Sequence, residues 1–366
     1  MSLKIAQVLA ADSWGGVNSE SLKKGIGGRE GAMIRLSREW ARMGHEVTNF
    51  VATKTPERIY EGEGFYEFVP AEMSMTMLAT FPYAAAIGWE SSRCFVHPRV
   101  VEMQKVRLLE MQCAHLVTDD IPATNEFATG VLGLSQWHVD FLEHQGVEGP
   151  FYVLPNGVDL ERYPKRPKAK ALTDAPKFFY SSSPDRGLWN LLQMWPYIKN
   201  YWPGAELTIA YGVKRFLAEH MWSHRRQGQM AVEMAAMLRQ EGVYDIGQVG
   251  QDVIADLQMS SDILAYPCDT IAPTETGCIT VIEAMAAGCP VVTTDCDCLE
   301  EEFGGVADIV PLPFRAIQYV SNIGAVLSDL KKYNDMRKRG REFAETRQWK
   351  DIAPRWIDLF EEQASL

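Results

Sequence analysis

Thr274-Glu-Thr-Gly-Cys-Ile-Thr-Val-Ile-Glu-Ala-Met-Ala-Ala-Gly-Cys-Pro-Val-Val-Thr-Thr294 carries two acids, Glu275 and Glu283, with seven residues between them. Pro273 and Gly277 mark a loop. A helix is expected next, with Ile279, Ile282, Ala286 and Ala287 on one face. Gly288 and Pro290 should end it, as a left-handed cap and a breaker. Val291-Val292-Thr293-Thr294 then begins a short buried strand. This reading puts Glu275 in the loop at the helix mouth and Glu283 about two turns inside. Backbone N–H groups at a helix N-terminus attract anions, and a diphosphate is a natural guest. The plain alternative is a buried helix with an acidic entrance.

Outward from this stretch, the chain length of 366 residues exceeds one ordinary core, so two domains are expected. Hydrophobic residues at 46% and charged residues at 23% are globular values. A net charge of −12 argues against general nucleic-acid binding, which needs a basic surface. The seven cysteines include no Cys-x-x-Cys pair, and Cys296-Asp-Cys298 is too sparse for a zinc site. Reduced thiols in a cytoplasm fit this usage. Ile5 to Ala11 is short and apolar and reads as a first strand rather than a signal peptide. No apolar run is long enough to span a membrane, and peripheral contact with a membrane surface, which needs only a patch, stays open.

Strand and helix signals alternate along the first half. Lys4 to Ala10 reads as a buried strand and Arg29 to Met43 as a helix, with Met33, Leu36, Trp40 and Met43 at helical spacing. Gly44 caps it, and His45 to Ala52 is the next strand. That is a βαβ unit and predicts a parallel sheet. Lys105 to Cys113 and Gly130 to Ser135 are further strand-like runs, with a helix near Trp137 to His144. Phe151 begins a short strand that runs into an Asn156-Gly157 turn. Pro164 to Pro176, with three prolines, three lysines and an arginine, reads as a linker. The alternation then restarts: a strand at Lys177 to Ser181, an amphipathic helix at Leu188 to Tyr201 bent at Pro196, and strands at Ala205 to Ala210 and Ile263 to Tyr266. Trp349 to Glu362 is a last amphipathic helix, whose start Pro354 leaves open. The expected class is α/β, with two Rossmann-like domains facing across a cleft.

The Thr274–Thr294 stretch resembles the donor-binding motif of the retaining glycosyltransferases of family 4, among the group 1 glycosyltransferases, which have the GT-B fold. The resemblance implies that the first glutamate, Glu275, lies against the donor sugar and that Glu283 binds the ribose. It implies that the amides of Gly277, Cys278 and Ile279 meet the diphosphate. It extends over nearly the whole chain and is weakest from Glu57 to Val101. The implied organisation is an N-terminal acceptor domain over residues 1–165, a C-terminal nucleotide-sugar domain over 177–346, and a helix over 347–366 crossing back to the first domain.

Further motifs fit the same family. Gly25-Ile-Gly-Gly28 precedes the first helix, and Gly27-Gly28 with Gly44-His-Glu-Val47 resembles a family pair that meets the donor; Gly15-Gly16 is a rival. Leu132-Gly-Leu-Ser135, Trp137-His-Val-Asp140 and Leu154-Pro-Asn-Gly-Val-Asp159 resemble a signature closing the first domain. Ser181-Ser-Ser-Pro-Asp-Arg-Gly187 follows a strand at its carboxyl end. Family members carry an arginine and a Lys-Gly pair here; this chain has Ser182 and Arg186-Gly187, so a second cationic contact is unassigned. His115 matches a histidine placed against the donor sugar's hydroxyls, with His97 and Asp119-Asp120 as rivals. Gly247-Gln-Val249-Gly250 is the turn expected to touch the base. His220 and His224 have i,i+4 spacing without the glutamate of a zincin site.

These readings imply transfer of a sugar from a nucleotide diphosphate sugar to an acceptor hydroxyl with retention. The catalytic set would be Glu275, His115 and Arg186. The donor-binding set would be Glu283, Gly277, Cys278, Ile279, Ser182, Gly27, Gly28 and Val249. No metal and no cofactor are expected beyond the nucleotide sugar, and the acceptor is a glycan, a lipid-linked molecule or a small molecule. A nucleotide-sugar epimerase on the same fold and a non-catalytic sugar-nucleotide-binding subunit are the alternatives.

Overall fold

The computed structural model describes residues 2–9, 16–164, 170–220, 226–269 and 273–366. His224, the side chain of His220, Gly15 and residues 165–169 of the lysine-rich linker lie outside the described residues. The chain forms two units. The first comprises Met1–Leu22, Ile26–Gly157 and Arg347–Leu366; the second comprises Lys23–Gly25 and Val158–Thr346. The expected first domain ran to residue 165. Val158 and Tyr163 instead belong to the hydrophobic core of the second unit, with 1% and 0% exposure, so the change of unit follows the Asn156-Gly157 turn.

In the first unit the strands are β1 (Lys4–Val8), β2 (Glu46–Val51), β3 (Glu57–Glu61), β4 (Gly64–Pro70), β5 (Ala85–Trp89), β6 (Arg107–Glu110), β7 (Gly130–Gly133) and β8 (Phe151–Val153). Their order is β3-β4-β2-β1-β5-β6-β7-β8. All pairs are parallel except β3 with β4. The sequence reading found β1, β2, β6, β7 and β8. It missed the β3–β4 pair and β5, the neighbour of β1.

The helix Gly28–Arg42 covers one face of this sheet and ends at Gly44, whose φ of +91° is the left-handed turn a helix stop needs. Against it packs the last helix, Trp349–Ser365, which belongs to this unit. Trp40 meets Trp356 and Phe360 edge-on at 5.7 and 5.8 Å, and its indole N–H donates to the Ala353 carbonyl at 3.0 Å. Pro354 lies inside this helix, which starts at Trp349.

The second unit holds β9 (Lys177–Tyr180), β10 (Glu206–Ile209), β11 (Val243–Asp245), β12 (Ile263–Tyr266), β13 (Val291–Thr294) and β14 (Asp308–Val310). Their order is β11-β10-β9-β12-β13-β14, all parallel. Every residue of β12 and β13 is buried, as expected for strands covered on both faces. The helix Leu188–Tyr201 contains Pro196, which has no N–H to give to the Leu192 carbonyl. Gln240 Nε2 donates to that carbonyl at 2.9 Å instead. The strand order reverses between β9 and β12. A doubly wound sheet opens a crevice at such a point, beyond the carboxyl ends of the two strands. Among the described residues no helix is long and apolar enough to cross a membrane.

Candidate active site

Beyond β9 and β12 lie the loop Ser181–Gly187 and the stretch leading to Glu275. Tyr180, the last residue of β9, sets the first loop. Its hydroxyl is 2.7 Å from the Ser183 carbonyl and 2.9 Å from that of Arg186. Gly187 closes the loop at a φ of +102° and heads the helix Leu188–Tyr201. A Cβ there would come within 2.7 Å of the Pro267 carbonyl, so only glycine fits. That is the physical reason for a glycine after Arg186.

Glu275 is fully buried, at 0% exposure. Tyr266, the last residue of β12, places its Oη 2.8 Å from Glu275 Oε1 and 2.9 Å from Ser182 Oγ. The phenol has one proton, and the carboxylate is the stronger acceptor, so the Ser182 hydroxyl supplies the second bond. Burial pushes the Tyr266 pKa well above its usual value, with Cys278 and Glu275 adding to it, so the phenol stays a donor. Arg186 Nε lies 3.3 Å from the same Glu275 oxygen, and its side chain keeps 30% exposure. Glu275 Oε2 is buried with no hydrogen-bond partner. The backbone is equally fixed, since Asp297 Oδ2 accepts the N–H groups of Thr274 and Glu275 at 2.9 and 3.0 Å. Ser182 therefore orients Tyr266 and brings no charge, and Tyr266 is a site residue that the sequence reading missed. Its signal was the final position of a buried strand facing the crevice.

The expected helix is Ile279–Ala286, and it has no side-chain cap. Cys278 is its N-cap residue; burial and then the Glu275 charge raise its thiol pKa well above the usual value, so it stays neutral. Gly277 and Cys278 are buried and Ile279 is half-buried. Gly288, at φ +69°, ends the helix, with the N–H of Gly288 on Met285 O at 2.9 Å and that of Cys289 on Ala284 O at 2.8 Å. Because the helix begins only at Ile279, Glu283 stands just over one turn inside it, not two.

Glu283 has a partner that the sequence did not reveal. Arg162 Nη1 lies 2.7 Å from Glu283 Oε1, with the two side chains 9% and 8% exposed. Arg162 Nη2 donates to the Gln251 carbonyl. Burial opposes the charge of Arg162, and the neighbouring Glu283 overrides it, so its pKa is raised. Gln251 begins the helix Gln251–Ser260, whose uncapped N-cap is Gly250. The Gly247–Gly250 turn, with half-buried Val249, thus adjoins the Glu283 pair.

In the first unit, Gly27 is the extended N-cap residue of the helix Gly28–Arg42, without a side-chain cap. Neither Gly27 nor Gly28 has a positive φ. Beside them Arg29 pairs with Glu30 at 2.7 Å and with Glu90 at 3.0 Å. Glu90 follows β5 at a φ of +61°, rare for a residue with a side chain. Its Oε1 accepts the N–H groups of Cys113 at 2.9 Å and Gln112 at 3.3 Å. Glu90 therefore ties the helix mouth to the loop after β6.

His115 lies on that loop and is exposed. Its Nδ1 is 2.8 Å from Gln145 Nε2 and its ring meets Phe141 edge-on at 5.1 Å. Its rivals have structural partners: His97 caps the helix Pro98–Met103 and Asp120 pairs with Arg93. The buried histidine here is His138, at 0% exposure. Its Nδ1 accepts the Leu134 N–H at 3.3 Å, which leaves the proton on Nε2, 3.1 Å from the Cys113 carbonyl. Asn156 is not only a turn residue, since its side-chain amide exchanges two hydrogen bonds with Gln112 at 3.1 and 3.2 Å.

Burial lowers the His138 pKa from 6.5 to about 4. The unfolded chain therefore takes up a proton first as pH falls, and stability present above 6.5 is lost on the way down. Between pH 7 and 5.5 the loss should be about 1.2 kcal/mol. Urea unfolding at the two pH values checks this against His138→Gln, in which the loss should shrink by that amount. Equal losses in both proteins would remove the role.

Two doubly wound α/β units define this as a GT-B fold, the fold of nucleotide-sugar glycosyltransferases. Residues 182–343 match the family described as glycosyl transferases group 1. Solved structures of similar fold include sucrose-phosphate synthase (tll1590) from Thermosynechococcus elongatus, with 16% identity, 99% of each chain covered and a TM-score of 0.71. Anabaena Alr3699/HepE in complex with UDP-glucose aligns at 15% identity, over 98% of this chain and 100% of that one, with a TM-score of 0.69. The alpha,alpha-trehalose 6-phosphate synthase from Burkholderia multivorans aligns at 10% identity, over 100% and 99%, with a TM-score of 0.68. No curated protein matches the chain in sequence.

Proposed function

We propose that this protein transfers a sugar from a nucleotide diphosphate sugar to an acceptor hydroxyl with retention of anomeric configuration. The carrying observation is Glu275: a buried carboxylate with one oxygen held by Tyr266 and Arg186 and the other without a partner, at the mouth of an uncapped helix. The HepE complexes with UDP and with UDP-glucose support a nucleotide-sugar donor for this fold.

In this reading the bond from the anomeric carbon to the diphosphate oxygen breaks and its electron pair leaves with the diphosphate. Arg186 and the amides of Gly277, Cys278 and Ile279 stabilise that developing charge. Glu275 faces the positive charge that grows on the sugar ring. The acceptor oxygen bonds to the same face, and its proton passes to a departing phosphate oxygen. No protein nucleophile takes part. Glu283 holds the ribose, the Val249 turn meets the base, and Gly27, Gly28 and His115 are further donor-binding residues. The acceptor is a glycan, a lipid-linked molecule or a small molecule, and the setting is the cytoplasm, with room for membrane-surface contact.

A thermal-shift screen over UDP-, GDP-, ADP- and TDP-sugars identifies the donor, and NMR of the product reads the anomeric configuration. An inverted product would overturn the reading, as would a new sugar nucleotide formed without acceptor, the epimerase outcome. Among the described residues no group of three or more His, Cys, Asp or Glu side chains comes together to hold a metal. Turnover should therefore survive EDTA, with Arg186 and the helix mouth as the countercharge. Loss of activity in EDTA, restored by Mg²⁺ or Mn²⁺, would contradict this.

A further inference from the structure

Arg162 has no place in the motifs above, yet it occupies the nucleoside end of the candidate donor site. It ends the short 3-10 turn Leu160–Arg162, capped by Asp159 Oδ1 on the Glu161 N–H at 3.3 Å. The next residue anchors it. Tyr163 is fully buried, and its hydroxyl bonds to Gln258. Arg341 Nη1 donates to the carbonyls of Tyr163 and Ala286 at 2.9 and 2.7 Å, which joins this strip to the helix that bears Glu283.

From that anchored base the guanidinium makes two contacts that differ in kind. Nη1 holds one oxygen of Glu283 at 2.7 Å, and Nη2 holds the carbonyl of Gln251, the first residue after the Gly247–Gly250 turn. One planar group thus sets both the rotamer of the carboxylate and its distance from the turn. Glu283 Oε2 has no protein hydrogen bond among the described residues. Arg162 Nε is also buried without a partner, on a side chain that is 9% exposed. A buried N–H without an acceptor is costly, and that cost is borne to keep the fork on Glu283 and Gln251 together.

We propose that Arg162 is the positioning residue for nucleotide ribose recognition: it fixes Glu283 so that the second carboxylate oxygen is presented to the ring hydroxyls, at a set spacing from the base-side turn. The inference rests on the reading of Glu283 as the ribose ligand. A lysine keeps the charge but not the fork that reaches Glu283 and Gln251 together.

The test is calorimetric titration of the wild type, Arg162→Lys and Glu283→Gln. The probes are UDP, GDP, ADP and TDP, each against its counterpart lacking the 2′ and 3′ hydroxyls. For the nucleotide that binds best, the wild type should prefer the hydroxylated form by roughly 10-fold or more, the scale of hydrogen bonds to a charged group. In Arg162→Lys this preference should collapse to within about 3-fold, while affinity for the counterpart without hydroxyls stays near wild type. Equal weakening toward both forms would make Arg162 a support of the fold and overturn the proposal. Discrimination lost in Glu283→Gln but retained in Arg162→Lys would overturn the Arg162 role alone. Discrimination retained in both would overturn the ribose reading as well.

Discussion

Glu275→Gln should bind donor nearly as well as the wild type and turn over about 100-fold more slowly, a loss of about 2.7 kcal/mol of transition-state stabilisation. The surroundings of Glu275 make this substitution informative. Its Oε1 accepts from Tyr266 and lies beside Arg186, and a glutamine carbonyl can keep both contacts. The amide nitrogen then stands where Oε2 has no partner. Arg186 loses its counter-ion, but its side chain is 30% exposed, so water compensates most of that loss. The fold is retained while the charge is removed, and that charge matters most when the sugar ring becomes positive. Steady-state kinetics with calorimetry of the donor separates the terms. Equal losses in affinity and turnover would make Glu275 a binding residue, and unchanged turnover would remove it from the chemistry.

Glu283→Ala should weaken nucleotide binding by about 1.5–3 kcal/mol, roughly 10- to 150-fold. The alanine also strands Arg162, whose side chain is 9% exposed, and breaking a buried pair destabilises by about 3–5 kcal/mol. Glu283→Gln, which can still accept from Arg162, is the control that separates recognition from folding. Calorimetry on folded protein reads the affinity. A nucleotide affinity unchanged in both variants would end the ribose role.

The legible parts of the sequence were those with local signatures. Gly288 and Pro290 marked a helix stop, and Leu188 to Tyr201 has the stated bounds because its pattern is strong. β5 was not legible because Ala85-Ala-Ile-Gly-Trp89 holds two alanines and a glycine and has no apolar–polar alternation. Its missing Cβ at Gly88 makes room for the Ser91 carbonyl, which would lie 2.3 Å away, a packing fact that no local pattern encodes. Missing β5 also hid Glu90, whose role depends on the loop after β6, more than 20 residues on. The Arg162–Glu283 pair spans 121 residues and was invisible for the same reason. Ser182 was visible as a departure from the family pattern. Its meaning came from the hydroxyl of Tyr266, which takes over the orienting of Glu275 without adding charge.

The helix Trp349–Ser365 completes the core of a unit whose other residues precede the second unit in the sequence. Trp356 and Phe360 close over Trp40, and Trp349 and Ile352 pack against Gly157, where an added Cβ would lie within 2.8 and 3.0 Å of them. A ribosome delivers these residues only after Val158–Thr346 of the second unit. While the second unit is being made, the Trp40 face of the helix Gly28–Arg42 has no cover, and the first unit waits for some 190 intervening residues before its hydrophobic surface is sealed. Order of synthesis and order of completion are thus reversed: the second unit can finish first. A stop codon shortly before Trp349 would leave the nucleotide-binding motif whole and expose the interior of the other unit.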